Sequence, residues 1–121
     1  MANTALTIIS DAEGKVVVRF LRRNSGHVSG YSQTLLSILA GVEIRTDRQP
    51  DERTFHAMGF LAPAVIARLM PANGDTFILS PESESAADYT FSIFERDGDV
   101  YLKCEDSGGV MYETNASKSK N

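Results

Sequence analysis

Residues 22–31, Arg-Arg-Asn-Ser-Gly-His-Val-Ser-Gly-Tyr, contain the side chains best suited to binding chemistry. Arginine can hold a phosphate through two N–H groups at once, and glycine with a positive φ exposes backbone N–H groups to an anion. Arg19 and Gly59 add a further cation and a further flexible position. The sequence therefore predicts a site for a small anionic ligand where a strand leads into a helix. An alternative stays open, in which the arginines form ion pairs with Glu43 or Asp47 and the glycines only satisfy turn geometry.

The sequence patterns typical of enzymes are incomplete. His27 and His56 lie far apart, with no HExxH motif and no cysteine pair, so we predict no metal site and no cofactor. Neither a GxSxG elbow nor a complete Walker or GxGxxG loop is present. We therefore predict a protein that is not an enzyme. The open alternative is a weak enzyme that uses His27 or His56 as a general base.

The 121 residues suffice for one compact domain, and we predict an α+β domain over residues 1–113 with a flexible tail over 114–121. Cys104 is the single cysteine and lies in an apolar alternation, so we predict an inert core residue. No segment is long and apolar enough for a membrane span, and the N-terminus lacks the features of a secretory signal. We therefore predict a cytoplasmic protein without a membrane partner.

The charges, which sum to −4, are unevenly distributed along the chain. Between residues 15 and 53 seven basic groups outnumber four acidic ones, whereas between 75 and 113 ten acidic groups face two basic ones. This acidity disfavours nucleic acid as a partner. The acidic segments 82–88 and 95–99 favour an alternative function, a module that binds another protein. Solvated surface charge scattered by folding is the simpler explanation, which stays open.

Turn signals and apolar periodicity predict the order of the elements. Asp11-Ala12-Glu13-Gly14 and Arg96-Asp97-Gly98-Asp99 each separate two apolar alternations and predict two hairpins. An apolar stripe predicts a helix over about 32–40, capped by Ser32 and ended by Gly41. A second helix should begin between residues 59 and 62, because Pro63 fits only in a first turn, and end before residue 71.

Together these elements predict an α+β fold with the order ββααβββ, in which five antiparallel strands carry two helices on one face. Residues 42–57 show little periodicity and are predicted to be an exposed excursion. The first hairpin is apolar on both faces, which predicts a homo-oligomer, either a dimer or a larger assembly.

Four segments of the chain resemble segments of a family of small proteins encoded by phages and prophages. They are Ser-Gly-His-Val-Ser-Gly at 25–30, His-Ala-Met-Gly-Phe-Leu-Ala at 56–62, Phe-Ile-Leu-Ser-Pro at 77–81 and Asp-Tyr-Thr-Phe-Ser-Ile at 88–93. The resemblance covers residues 5–104. Ser25, His27, Val28 and Phe60 stand where that family has aspartate, tyrosine, proline and cysteine, so a site built there is altered in this chain.

The size and phage context of the family resemble those of anti-defence proteins, in particular the Thoeris sponges, which bind a cyclic ADP-ribose isomer between subunits without cleaving it. The resemblance implies that the chain sequesters a nucleotide-derived immune signal, either a cyclic ADP-ribose isomer or a cyclic oligonucleotide. Arginines would hold its phosphates, and an aromatic side chain such as Phe60, Phe77 or Tyr89 would stack on its base. The alternative is inhibition of a host protein through the acidic surface. The predicted ligand contacts are Arg19, Arg22, Arg23, Ser25, Gly26, His27, Gly30, Tyr31, Met58, Gly59, Phe60 and Tyr89.

Overall fold

The computed structural model describes residues 4–22, 28–69, 76–79 and 87–118. These residues form eight strands and two α-helices, and they end in one turn of 3-10 helix at Ala116–Lys118. The strands are β1 (Ala5–Ser10), β2 (Val16–Arg22), β3 (Glu43–Ile44), β4 (Thr54–Phe55), β5 (Thr76–Leu79), β6 (Tyr89–Arg96), β7 (Asp99–Asp106) and β8 (Gly109–Asn115), and the helices are α1 (Val28–Leu39) and α2 (Met58–Leu69). No helix of the described ranges has the length and apolar character needed to cross a membrane.

All the strands belong to one sheet with the order β4-β3-β7-β6-β1-β2-β5, and β8 pairs with β7. The predicted mixed α+β class with two helices is confirmed. The prediction of five purely antiparallel strands is wrong, because β1 pairs in parallel with β6 and β3 in parallel with β4. Both helices lie between β1 and β6 in the chain, and so long a connection allows β6 to return in parallel beside β1.

The core lies between the two helices and one face of the sheet. Thr7 of β1 is paired with Phe20 on β2 and with Phe91 on β6, so the three side chains share that face. The ring of Tyr31 on α1 meets Phe91 edge-on, with centroids 4.9 Å apart. From α2, Leu61 and other apolar side chains join the same buried cluster. Each such fully buried side chain contributes about 1.5–3 kcal/mol to folding through the hydrophobic effect.

The two predicted hairpins are confirmed. β1 and β2 pair in antiparallel register around a turn in which Gly14 has a φ of 83°. The turn between β6 and β7 has a positive φ at both Asp97 and Gly98, as a type I′ turn requires. On β7, Cys104 is buried, and burial raises the pKa of its thiol to about 11, in agreement with the predicted inert core residue.

Helix α1 begins at Val28, earlier than the sequence predicted. Ser32 is therefore not the N-cap; it is buried in the second turn, where its Oγ accepts a hydrogen bond from the hydroxyl of Tyr112 on β8. The predicted end is confirmed, since Gly41 follows the helix with a φ of 77°.

Helix α2 begins at Met58, so Pro63 lies in its second turn rather than its first. The carbonyl of Ala57 accepts hydrogen bonds from the N–H groups of Phe60 and Leu61, which sets the helix start. Proline at 63 leaves the carbonyl of Gly59 without its usual helical donor. Gly59 and Pro63 are both exposed, so water can serve that carbonyl and the proline is tolerated.

The end of the chain differs from the predicted flexible tail over 114–121. Residues 114 and 115 belong to β8, and Ala116 is fully buried. The hydroxyl of Ser117 donates to the carbonyl of Val42 and accepts from the N–H of Val100, which joins three parts of the fold. These hydrogen bonds hold residues as far as Lys118 on the domain, and residues 119–121 lie outside the described ranges.

Candidate functional site

The residues predicted to contact a ligand fall in different parts of the fold. Four of them, Arg23, Ser25, Gly26 and His27, lie outside the described residues. The others occupy three places: the outer face of β2, the opposite face of β2 beside α1, and the first turn of α2.

The structure does not bring Arg19 and Arg22 together. Arg22 is paired with Ala5, and its side chain lies on the helix-covered face of the sheet. Arg19 is paired with Ile8, and its side chain lies on the outer face. Successive side chains of a strand point to opposite faces of the sheet, so two side chains three positions apart lie on opposite faces. A single phosphate between these two arginines is not possible in this fold.

Arg22 instead forms a cluster with Tyr31 at the start of α1. The guanidinium carbon lies 5.1 Å from the centroid of the Tyr31 ring, in cation–π geometry. Burial raises the pKa of the Tyr31 phenol, so the hydroxyl stays neutral, and it shares a 2.9 Å hydrogen bond with Thr7 Oγ1. Tyr89 lies on the same sheet face, because its partner Ala5 is also paired with Arg22. Gly30 is exposed in the first turn of this helix.

The predicted contacts on α2 separate into one core residue and two exposed ones. Met58 is fully buried, so it packs in the core and is not accessible to a ligand. Gly59 is exposed, and Phe60 leaves 66% of its surface in solvent. An aromatic ring so exposed at the start of a helix is a candidate binding surface rather than a core element.

Phe60 lines a groove of about 280 Å³, which we call the Phe60 groove. Two of its other walls are apolar, the ring of Phe55 on β4 and the ring of Pro50. Its polar lining residues are Asp51 and His56. A concave apolar site with a few polar groups is the usual form of a small-molecule site.

Hydrogen bonds fix the orientation of both polar groups. Asp51 Oδ1 accepts from the backbone N–H groups of Arg53 and Thr54 at 2.8 and 2.7 Å. These two bonds hold the pKa of the Asp51 carboxyl below its usual range. His56 Nε2 lies 2.8 Å from the carbonyl oxygen of Arg48. Because a carbonyl can only accept, Nε2 carries the proton, and in the neutral ring Nδ1 is an acceptor.

A cation stands near the rim of the Phe60 groove. The positive charge of Arg48 contributes to the lowered pKa of Asp51, and its Nη1 lies 3.7 Å from Glu43 Oε1. The guanidinium is more than half exposed, so this ion pair is weak. Arg48 can therefore turn toward an anion bound at the groove at little cost.

Sequence reasoning missed most of the Phe60 groove. Phe60 was among the predicted contacts, but Pro50, Asp51 and Phe55 were not, and His56 was weighed only as a base or metal ligand. Residues 42–57 were predicted to be an exposed excursion, whereas they form β3, β4 and a wall of the groove. The signal that could have found it is Pro50-Asp51, since proline followed by aspartate is typical of an ordered turn.

Within the described ranges, no group of three or more His, Cys, Asp or Glu side chains is arranged to hold a metal ion. Comparisons of the chain with protein-family models, with curated proteins and with solved structures find no match. The resemblance to phage-encoded proteins therefore stays a prediction.

Proposed function

We propose that this chain is a binding protein that sequesters a small anionic, nucleotide-derived signal without catalysis, in the cytoplasm of a host cell. The base of the ligand would stack on Phe60 in the Phe60 groove, and Arg48 would face its phosphate. The observation that supports this proposal most is the exposed Phe60 ring at the edge of an apolar groove of about 280 Å³.

The shape and lining of the Phe60 groove suit a nucleobase. Two aromatic side chains, Phe55 and Phe60, offer faces on which a flat ring can stack. Stacking of one base on an aromatic side chain contributes about 1–3 kcal/mol. His56 and Asp51 supply the polar contacts that would orient the base edge.

The absence of catalysis remains part of the proposal. His56 Nε2 is engaged by the Arg48 carbonyl. Two backbone N–H groups stabilise the ionised form of Asp51, which makes it a weak base. Among the described residues none engages His56 Nδ1, so recovery of the ligand unchanged is the result that separates sequestration from catalysis.

Isothermal titration calorimetry tests the proposal with a panel of cyclic ADP-ribose isomers, linear ADP-ribose and cyclic dinucleotides. We expect Phe60→Ala to weaken binding roughly 5- to 150-fold, which corresponds to the loss of one stacked base. Gln33→Ala is the control, since Gln33 is an exposed side chain on α1 that does not line the groove. Chromatography of the recovered ligand should show it unchanged.

The same titration separates the two candidate locations. If Arg22→Ala abolishes binding while Phe60→Ala and Arg48→Ala leave it intact, the ligand lies at the Arg22–Tyr31 cluster and the groove assignment is wrong. If no member of the panel binds, the sequestration proposal fails.

The alternative, inhibition of a host protein through the acidic surface, also remains a prediction. In the hairpin over 95–99, the Asp99 carboxylate accepts a 2.9 Å hydrogen bond from the Asn115 amide and lies 3.7 Å from Lys118 Nζ. This carboxylate is thus partly used within the fold. Residues 82–86 of the other acidic segment lie outside the described residues.

We also retain the homo-oligomer as a proposal. Val110 and Met111 are adjacent exposed apolar side chains on β8, and they offer a surface that a second copy could cover. Sedimentation that gives one 13.2 kDa particle at every concentration would refute the oligomer.

A further inference from the structure

The Phe60 groove presents hydrogen-bond acceptors and no side-chain donor that is still available. Its lining consists of Pro50, Asp51, Phe55, His56 and Phe60. Proline and phenylalanine side chains carry no hydrogen-bonding groups. The one donor in the lining, the Nε2–H of His56, already donates to the Arg48 carbonyl. A ligand that bonds to this lining must therefore supply the donors itself.

The acceptors in the groove number about two. A carboxylate has roughly four acceptor sites, two on each oxygen. The Asp51 carboxylate receives the backbone N–H groups of Arg53 and Thr54 and the Thr54 hydroxyl, which leaves about one site. The Nδ1 atom of His56 adds one more acceptor in the neutral ring.

The acceptors are also held in place before any ligand arrives. The N–H of Asp51 donates to the carbonyl of Thr54 at 3.1 Å and closes a turn over residues 51–54. Within this turn the Asp51 carboxylate is tied to two backbone N–H groups, so it cannot rotate freely. A preorganised acceptor contributes more to binding, because its ordering costs nothing at the moment of association.

The common nucleobases differ in how many donors they place on one edge. Guanine carries N1–H and the N2 amine side by side, whereas adenine and cytosine each carry one exocyclic amine beside acceptors, and uracil carries one N–H between two carbonyl groups. A guanine edge matches an acceptor-only lining, and every other base would place an acceptor against an acceptor. Burying such a mismatch costs the desolvation of an unpaired polar group.

We infer that the Phe60 groove selects guanine, and that the sequestered ligand is a guanine nucleotide rather than a cyclic ADP-ribose isomer, whose base is adenine. This inference rests on the proposed function and names the ligand class of the same site. Asp51 is the specificity-determining residue. Phe55 and Phe60 hold the ring without distinguishing one base from another.

Calorimetry with a guanine cyclic dinucleotide and its adenine, inosine and xanthine counterparts tests the inference. Inosine lacks the N2 amine, and xanthine has a carbonyl in its place. We expect the guanine ligand to bind wild-type protein at least 10-fold more tightly than the adenine or inosine ligand, as one lost hydrogen bond to a charged group requires. Asp51→Asn keeps an acceptor for the turn and adds an amide donor, so it should weaken guanine binding and improve xanthine binding.

The matched control is Asp47→Asn, which removes a carboxylate of the same chain segment that does not line the groove. It should leave the order of affinities unchanged. Equal affinity for guanine and adenine ligands, with both lost in Phe60→Ala, would overturn guanine selection and leave the proposed function standing. A guanine preference that Asp51→Asn does not alter would also overturn the role of Asp51. Binding of a cyclic ADP-ribose isomer but of none of these ligands would overturn guanine selection alone, and binding of no ligand of either panel would overturn both proposals. Circular dichroism of each variant verifies that it is folded.

Discussion

Tyr31→Phe tests the account of how α1 is held on the sheet. The substitution removes the hydroxyl that shares a 2.9 Å hydrogen bond with Thr7 Oγ1. Both residues are buried, with Tyr31 only 2% exposed and Thr7 fully covered, so water cannot replace the lost partner. The ring itself remains, and with it the edge-on contact with Phe91 and the cation–π contact with Arg22, whereas the hydrogen bond between the hydroxyl and Arg22 is lost as well.

The magnitude follows from the cost of leaving one buried hydroxyl unpaired. We expect the free energy of unfolding to fall by about 1–3 kcal/mol in Tyr31→Phe, because the Thr7 hydroxyl keeps its desolvation cost without its hydrogen bond. Thr7→Val should cost a similar amount for the same reason. The double variant should cost clearly less than the sum of the two, since it leaves neither hydroxyl behind.

Urea denaturation followed by circular dichroism measures the four free energies of this cycle. A coupling of about 1 kcal/mol between the two positions is the predicted result. Additive losses, or a Tyr31→Phe variant as stable as wild type, would refute the hydrogen bond and the placement of α1 over β1. An unchanged slope of the free energy against urea concentration verifies that the unfolded state is comparable in all variants.

Three further predictions concern the chain end, the cysteine and the groove turn. Ser117→Ala should lower the free energy of unfolding by about 1–3 kcal/mol in urea denaturation, because the Val42 carbonyl and the Val100 N–H lose their partner. Ser37→Ala is the control, and it should be nearly neutral because Ser37 is exposed. The pKa of the Cys104 thiol is raised to about 11, so in the native protein it should not react with a thiol reagent at pH 8 until urea unfolds the chain. Reaction at the rate of a free thiol would contradict the burial of Cys104. The folded-state pKa of Asp51 is lowered, so its carboxylate stabilises the fold above its ordinary pKa and that contribution disappears as the pH falls through the lowered value. The stability difference between wild type and Asp51→Asn should therefore shrink toward acid in urea denaturation, and a difference that grows toward acid would contradict the sign.

Local signals in the sequence predicted the local structure well. The turn at Asp97-Gly98 formed as predicted because an Asp-Gly pair accepts the positive φ that a type I′ turn needs. Gly41 ends α1 because glycine also accepts a positive φ, which the residue after a helix often needs. The alternation on β7 also predicted that Cys104 would point into the core.

Features that depend on pairing distant segments were not predictable in the same way. Nothing in the residues of β1 distinguishes a parallel partner from an antiparallel one, and the position of β6 beside it depends on how both helices cross the sheet. The last two residues of strand β8 fall within the predicted tail over 114–121, because the polar residues of this segment resemble a linker. Its stability comes from Ser117 and the buried Ala116, whose contacts appear only in the folded chain.

Some features of the candidate site could be predicted from the sequence, and others could not. The period of two in β2 already placed Arg19 and Arg22 on opposite faces, so the predicted strand itself separates these two predicted contacts. The exposure of Phe60 could not be read from the sequence, because an aromatic residue in an apolar helix is usually a core residue. The groove also needs β4, a two-residue strand too short to leave a periodic signal.

A nuclear magnetic resonance titration tests the central claim most directly, because it reports where a ligand binds as well as whether it binds. When a guanine cyclic dinucleotide is added to labelled protein, the account predicts that the largest shift changes lie at Asp51, Phe55, His56 and Phe60. Changes centred instead on Gly30 and Tyr31 or on the outer face of the sheet, or no changes at all, would contradict it.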